Sequence, residues 1–180
     1  AEGGITRYLA IFTPQADLSL EKIGPVRSLR PYFLDLANEY SALLTHVGGS
    51  PEALAKVAKD NVFDLNEFYQ GDYFWRDENQ DAPHNVYTNA ENLNKYLTLK
   101  DAEFGKFLAW KFKDENLPQS KNNLDRLIEI SYNKNYVVKW NYDDIKNEYI
   151  HSIVGEDSLD NIVVKNLIIQ YVETAEIVND

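Results

Sequence analysis

The sequence predicts an α+β protein: a mixed α/β domain over residues 1–105, then an incomplete antiparallel β-rich domain over 106–180. Three observations predict it. Residues 5–12 and 42–47 are apolar runs of the kind found in strands covered on both faces, and each is followed by a helical pattern. Residues 128–142 instead alternate apolar with polar, as strands with one buried face do. Between the two patterns, residues 113–123 are polar, contain Pro118 and several asparagines, and read as a loop or linker.

The elements follow in order. The run at 5–12 is nearly all apolar after Arg7 and is expected to be a strand. A helix is expected over 28–40, because Pro31 suits a first helical position and Tyr32, Phe33, Leu36, Ala37 and Tyr40 share a face. Residues 42–47 form the second strand. Gly48-Gly49-Ser50-Pro51-Glu52 then reads as a turn, an N-cap and a proline at N1, with Ala53, Leu54, Val57 and Ala58 packing inward. Thr88-Asn89-Ala90-Glu91 has capping-box spacing before a short helix. In the second region, Ile128, Ile130 and Tyr132 pair as a hairpin with Tyr136, Val138, Trp140 and Tyr142 across Asn133-Lys134-Asn135. Further strands are expected at 149–153 and 162–171. The chain has neither an internal repeat nor a low-complexity tract.

Composition excludes several classes of function. A formal net charge of −11 argues against nucleic acid, whose phosphates need basic stripes that this chain lacks. The absence of cysteine excludes disulfides, thiolate metal sites and a cysteine nucleophile. No apolar run approaches the roughly 20 residues of a membrane span. Methionine is also absent, and both ends lie close to apolar strand patterns, so the chain is expected to be a fragment or a processed product.

Arginine is used selectively. Five arginines stand against thirteen lysines, and Arg7, Arg27, Arg30 and Arg76 all lie in segments rich in glycine, proline or aromatics. Lysine serves a solvated surface equally well, whereas arginine presents a planar fork suited to carboxylates and phosphates. Two uses fit: an anion site, or internal pairing with carboxylates such as Glu2, Glu67 or Asp77. The densest segment is GPVRSLRPYF at 24–33, where Arg27 and Arg30 flank Ser28.

Gly48 and Gly49 precede a helix N-terminus, which can cradle an anion with free N–H groups or simply turn tightly. The stretch lacks the phosphate-loop and dinucleotide patterns. His46 lies four residues before Ser50, yet no G-x-S-x-G elbow surrounds that serine, and an N-cap role explains it. Arg76, His84 and Asn85 fall in an irregular aromatic stretch that is either functional or a local core. His84, after a proline in a loop, is a better candidate than His151 in a strand. No zinc spacing occurs, and Asp64, Asn66 and Glu67 offer hard oxygen ligands without a calcium-loop pattern.

Five segments carry a resemblance: EGGITRYLAIF at 2–12, IGPVRSLRPYFLDLA at 23–37, HVGGSPEA at 46–53, DLNEF at 64–68, and YFWRD with APHNVYT at 73–77 and 82–88. In this order they resemble the YerB-type lipoproteins, a bacterial family of unknown function. ISYNKNYVVKWNYD at 130–143 and VVKNLIIQY at 163–171 are more loosely similar to that family's β-rich C-terminal domain. Leu29 stands where members commonly carry a small residue. The family would supply a strand before Ala1 and more sheet after Asp180. The resemblance implies an extracytoplasmic protein on the outer face of a bacterial membrane, held there by a lipid anchor outside this chain, without established enzymatic activity.

A weaker similarity, of order and residue type only, is to the LytR–CpsA–Psr phosphotransferases, which hold a polyprenyl pyrophosphate with arginines. Their Arg-Asp-Thr motif is missing here. The leading expectation is therefore a cell-envelope domain binding an anionic or glycan ligand through Arg7, Arg27, Ser28, Arg30, His46, Gly48, Gly49, Ser50, Arg76, His84 and Asn85. The partner would be an envelope glycan, a phosphate-bearing polymer or an envelope protein. The alternative is a phosphotransferase or hydrolase acting on a pyrophosphate-linked envelope precursor, with Mg²⁺ held by Asp64 or Glu67.

Overall fold

Helix α1, Pro31–Asn38, starts where proline fixes the backbone for a first turn, and Arg30 occupies the N-cap without a side-chain cap bond. The structure, a computed structural model, describes residues 7–13, 19–101, 111, 126–155 and 162–171. Leu34 and Ala37 are the buried residues of α1, while Tyr32 and Leu36 are about half exposed. The inward face is thus rotated from the one expected, and the helix is shorter at both ends than 28–40.

Strand β1, Leu44–His46, pairs in parallel with β2, Asp64–Asn66, through helix α2, Pro51–Asp60. A parallel pair needs such a crossover. The local chemistry of α2 matches its sequence signals. Pro51 opens it, the Ser50 hydroxyl accepts from Ala53 N at 3.3 Å, and Asn61 closes it in a left-handed conformation, φ +50°. Leu29, Leu34, Ala37, Leu44 and Ala53 form the core between these elements, with Phe33, Val57 and Val62 against it.

Strands β3, Trp75–Arg76, and β4, Val86–Tyr87, are antiparallel. Residues 23–29 run between β4 and the end of β1. On one side Ile23 and Thr88 exchange hydrogen bonds of 2.7 and 3.0 Å, and Val26 N donates to Val86 O at 2.7 Å. On the other, Leu29 bridges Gly49 in the parallel sense. The two short sheets are thus joined through a segment that is not itself a strand.

Helix α3, Ala90–Leu99, is capped by Asn89, whose side chain accepts from Asn92 N at 2.8 Å. The expected Thr88 cap is corrected: Thr88 is buried, and its hydroxyl donates to Tyr73 O at 2.8 Å. The strand expected at 5–12 is absent over 7–12, where Ile11 and Phe12 are each 47% exposed and not covered on both faces. Residues 5 and 6, and the linker expected at 113–123, lie outside the described residues.

The β-rich region is a four-stranded antiparallel sheet in the order β5, Leu127–Asn133; β6, Tyr136–Asp143; β7, Glu148–Ile153; and β8, Val163–Val164. Ile128, Trp140 and His151 stand opposite one another across three strands. The Asn133 side chain accepts from Asn135 N at 2.8 Å and fixes the first turn. The last strand spans two residues rather than 162–171, and Ile168 and Tyr171 beyond it are 76% and 96% exposed. The chain divides into two compact units, Leu9–Lys111 and, together, Ala1–Tyr8 with Phe112–Asp180. Among the described residues no helix is long and apolar enough to cross a membrane.

Candidate functional site

Within the unit Leu9–Lys111, residues 27–30 lie alongside 46–50 and hold them by backbone bonds. Val47 N donates to Arg27 O (3.1 Å), Leu29 N to Gly48 O (3.0 Å) and Ser50 N to Leu29 O (3.1 Å). Arg27, Ser28, Arg30, His46, Gly48, Gly49 and Ser50 therefore stand on two neighbouring segments. Arg27 also donates through Nη1 to Pro83 O, beside His84 and Asn85. Arg76 donates to Asn85 Oδ1 at 3.1 Å and to Glu67 Oε1 at 2.9 Å. Arg7 belongs to the other compact unit.

Much of this set also has internal work. His46 is 2% exposed, with Nδ1 2.7 Å from Gly48 O and Nε2 3.1 Å from Asp64 Oδ2. Ser50 caps α2. Arg76 and Glu67 form the internal pairing left open by the sequence, whereas Asp77 pairs with Lys22, whose ammonium also lies 4.2 Å from the Tyr87 ring centre. The hydrogen bond from Lys22 holds the Asp77 carboxyl below its usual range. Arg30 donates to Leu29 O at 3.0 Å, while His84 is exposed in its loop.

The glycines are needed for different reasons. Gly48 has φ +56°, and a Cβ there would come within 2.6 Å of the Phe68 ring. At Gly49 a Cβ would press on Leu29 and Leu54 at 3.2 Å. The three oxygen-bearing side chains expected as hard ligands for a cation are dispersed in role. Asp64 meets His46, Glu67 meets Arg76, and the Asn66 Oδ1 accepts from Gly48 N (3.0 Å) and Phe68 N (3.2 Å). Among the described residues no group of three or more His, Cys, Asp or Glu is arranged to hold a metal.

Residues 1–103 match the family described as "Protein of unknown function (DUF3048) N-terminal domain". The chain belongs to this family. A curated relative, the Bacillus subtilis (strain 168) protein named "Putative lipoprotein YerB", is 31% identical over 187 residues, covering 98% of this chain and 53% of the relative. The crystal structure of the YerB protein from Bacillus subtilis superposes with a TM-score of 0.68 at 30% identity, covering 86% of this chain and 51% of that one. The chain thus spans about half the length of the Bacillus subtilis proteins it matches.

Sequence reasoning gave Asn66 only a possible ligand role and gave no role to Phe68 or Tyr69. Asn66 is a buried fastener for two turns. The signal for it was an asparagine between Leu65 and a polar-aromatic turn, where its side chain can bond backbone two residues on.

Proposed function

We propose that this DUF3048 chain is an exported cell-envelope domain, lipid-anchored outside these residues, that binds an anionic or glycan ligand. The name of its Bacillus subtilis relative, a lipoprotein, supports the location. The observation that carries the binding reading is the meeting of three irregular segments, 27–30, 46–50 and 83–85, around Arg27. A guanidinium has five donors, so the bond to Pro83 O also orients the fork. Arg30 stands at the N-cap of α1, at the positive end of the helix dipole.

Calorimetric titration of the chain with polyphosphate, teichoic-type polymer and wall glycan fragments tests this reading. Arg27→Lys keeps the charge but loses the fork, and should weaken binding about tenfold while the melting temperature holds. Arg30→Lys should act in the same direction. Lower stability with unchanged affinity in both variants, or no binding by the unsubstituted chain, refutes it.

The phosphotransferase reading has no observation of its own in support. Asp64 and Glu67, its candidate Mg²⁺ ligands, are occupied by His46 and Arg76.

A further inference from the structure

Two large aromatic side chains stand in solvent at the turn that follows β2. Phe68 is 66% exposed and Tyr69 is 80% exposed. Their backbone is fastened. Phe68 N donates to Asn66 Oδ1 at 3.2 Å, Tyr69 N to Asn66 O at 3.0 Å, and Gln70 N to the same carbonyl at 2.9 Å. The Gln70 Oε1 accepts from Asn66 N at 3.1 Å, and Asn66 itself is 2% exposed. Through the same Oδ1, Asn66 also binds Gly48 N, and the Phe68 ring lies over Gly48 with no room for a Cβ. An incidental exposed aromatic needs no such fastening. Here a buried asparagine holds the backbone that carries two exposed aromatics, and the Phe68 ring lies against Gly48 in the 46–50 segment, which is bonded to Arg27 and Leu29.

We infer that Phe68 and Tyr69 form a saccharide-stacking subsite adjoining the arginine segment. The apolar C–H face of a sugar ring is attracted to the electron-rich face of an aromatic ring, and the Tyr69 hydroxyl can donate to or accept from sugar hydroxyls. Aromatic side chains lose few rotamers on contact, and a fastened turn removes most of the ordering cost. A membrane surface is the poorer occupant, because Glu67 and Asp72 flank the two aromatics in sequence and residues 60–75 hold no lysine or arginine to meet an anionic headgroup. The subsite deepens the binding reading above and rests on it for the anionic part of the ligand, which Arg27 would engage while the rings take a neighbouring sugar.

The experiment uses the intact chain and three probes: a neutral N-acetylglucosamine tetramer, inorganic polyphosphate and phosphatidylglycerol vesicles. Tyr69→Ala and Phe68→Leu should each weaken tetramer binding roughly two- to tenfold and leave polyphosphate affinity unchanged. Arg27→Lys should do the reverse. Melting curves check that each variant is folded, and Tyr69→Ala removes a side chain that is mostly in solvent. Failure of the unsubstituted chain to bind the tetramer overturns the inference, as does unchanged tetramer binding in both aromatic variants. Vesicle binding that depends on Phe68 and Tyr69, without tetramer binding, also overturns it. Tetramer binding lost in the aromatic variants, without any polyphosphate binding, leaves the saccharide subsite standing and removes the anionic reading.

Discussion

His46 stands at the junction of sequence and function, because it looks like a site residue and is built like a structural one. Both ring nitrogens lie within hydrogen-bond distance of protein acceptors, Gly48 O and Asp64 Oδ2, while the ring is buried. His46→Leu should therefore destabilise the fold by about 2 kcal/mol in urea unfolding, because a buried ring loses its contacts to both Gly48 O and Asp64 Oδ2, although Gly48 O keeps its bond from Leu29 N. Arg76 calls for a smaller figure. Its side chain is 51% exposed, so solvent screens its pair with Glu67, and Arg76→Ala should cost about 1 kcal/mol or less in the same measurement. The special status of arginine was legible in the sequence, since choosing arginine over lysine beside glycine and proline is a local signal. Which partner each arginine takes was not legible. Glu67, Asn85 and Pro83 reach Arg76 and Arg27 only after separate segments are brought together.

At the scale of elements, the start of α2 was readable residue by residue because its determinants are adjacent in sequence, whereas Ala58, expected to pack inward, is exposed. Ser50→Ala should cost about 1 kcal/mol by removing the acceptor for Ala53 N, measured as a fall in melting temperature. Gly48→Ala combines an unfavourable φ of +56° with a Cβ 2.6 Å from the Phe68 ring. It should lower stability by about 1–3 kcal/mol and shift the Phe68 ring resonances in NMR spectra. Two apolar runs were read too generously. Residues 7–12 and 165–171 have strand composition yet are not strand, because pairing is set by other segments and is not written in the run itself. The reverse error touched α3, where adjacent Thr88 and Asn89 are both good caps and packing sent Thr88 to Tyr73 instead.

Over the whole molecule, charge sets two opposing salt responses. A net charge of −11 repels itself in the folded state, so raising salt should raise the melting temperature slightly while weakening any anion held by arginine. Acid acts through particular carboxylates. Asp77, Glu91 and Asp143 are held below their usual range, first by hydrogen bonds from Lys22, Lys95 and the Lys146 backbone respectively. Their stabilisation is present above the unfolded carboxylate range near pH 4 and is lost as pH falls through their lower folded values. Burial raises Tyr96, so its stabilisation is complete below about pH 10 and is lost as pH rises through its folded value. Thermal melts should accordingly show a plateau near neutrality, with a decline on each side. The segment at 23–29 has a consequence of a different kind. It has the composition of a surface loop, yet the amides of Ile23, Val26 and Leu29 all donate to neighbouring backbone carbonyls. In deuterated water it should therefore retain its protons on the timescale of the strands beside it, and a protease that recognises arginine should pass over Arg27 until the whole unit opens.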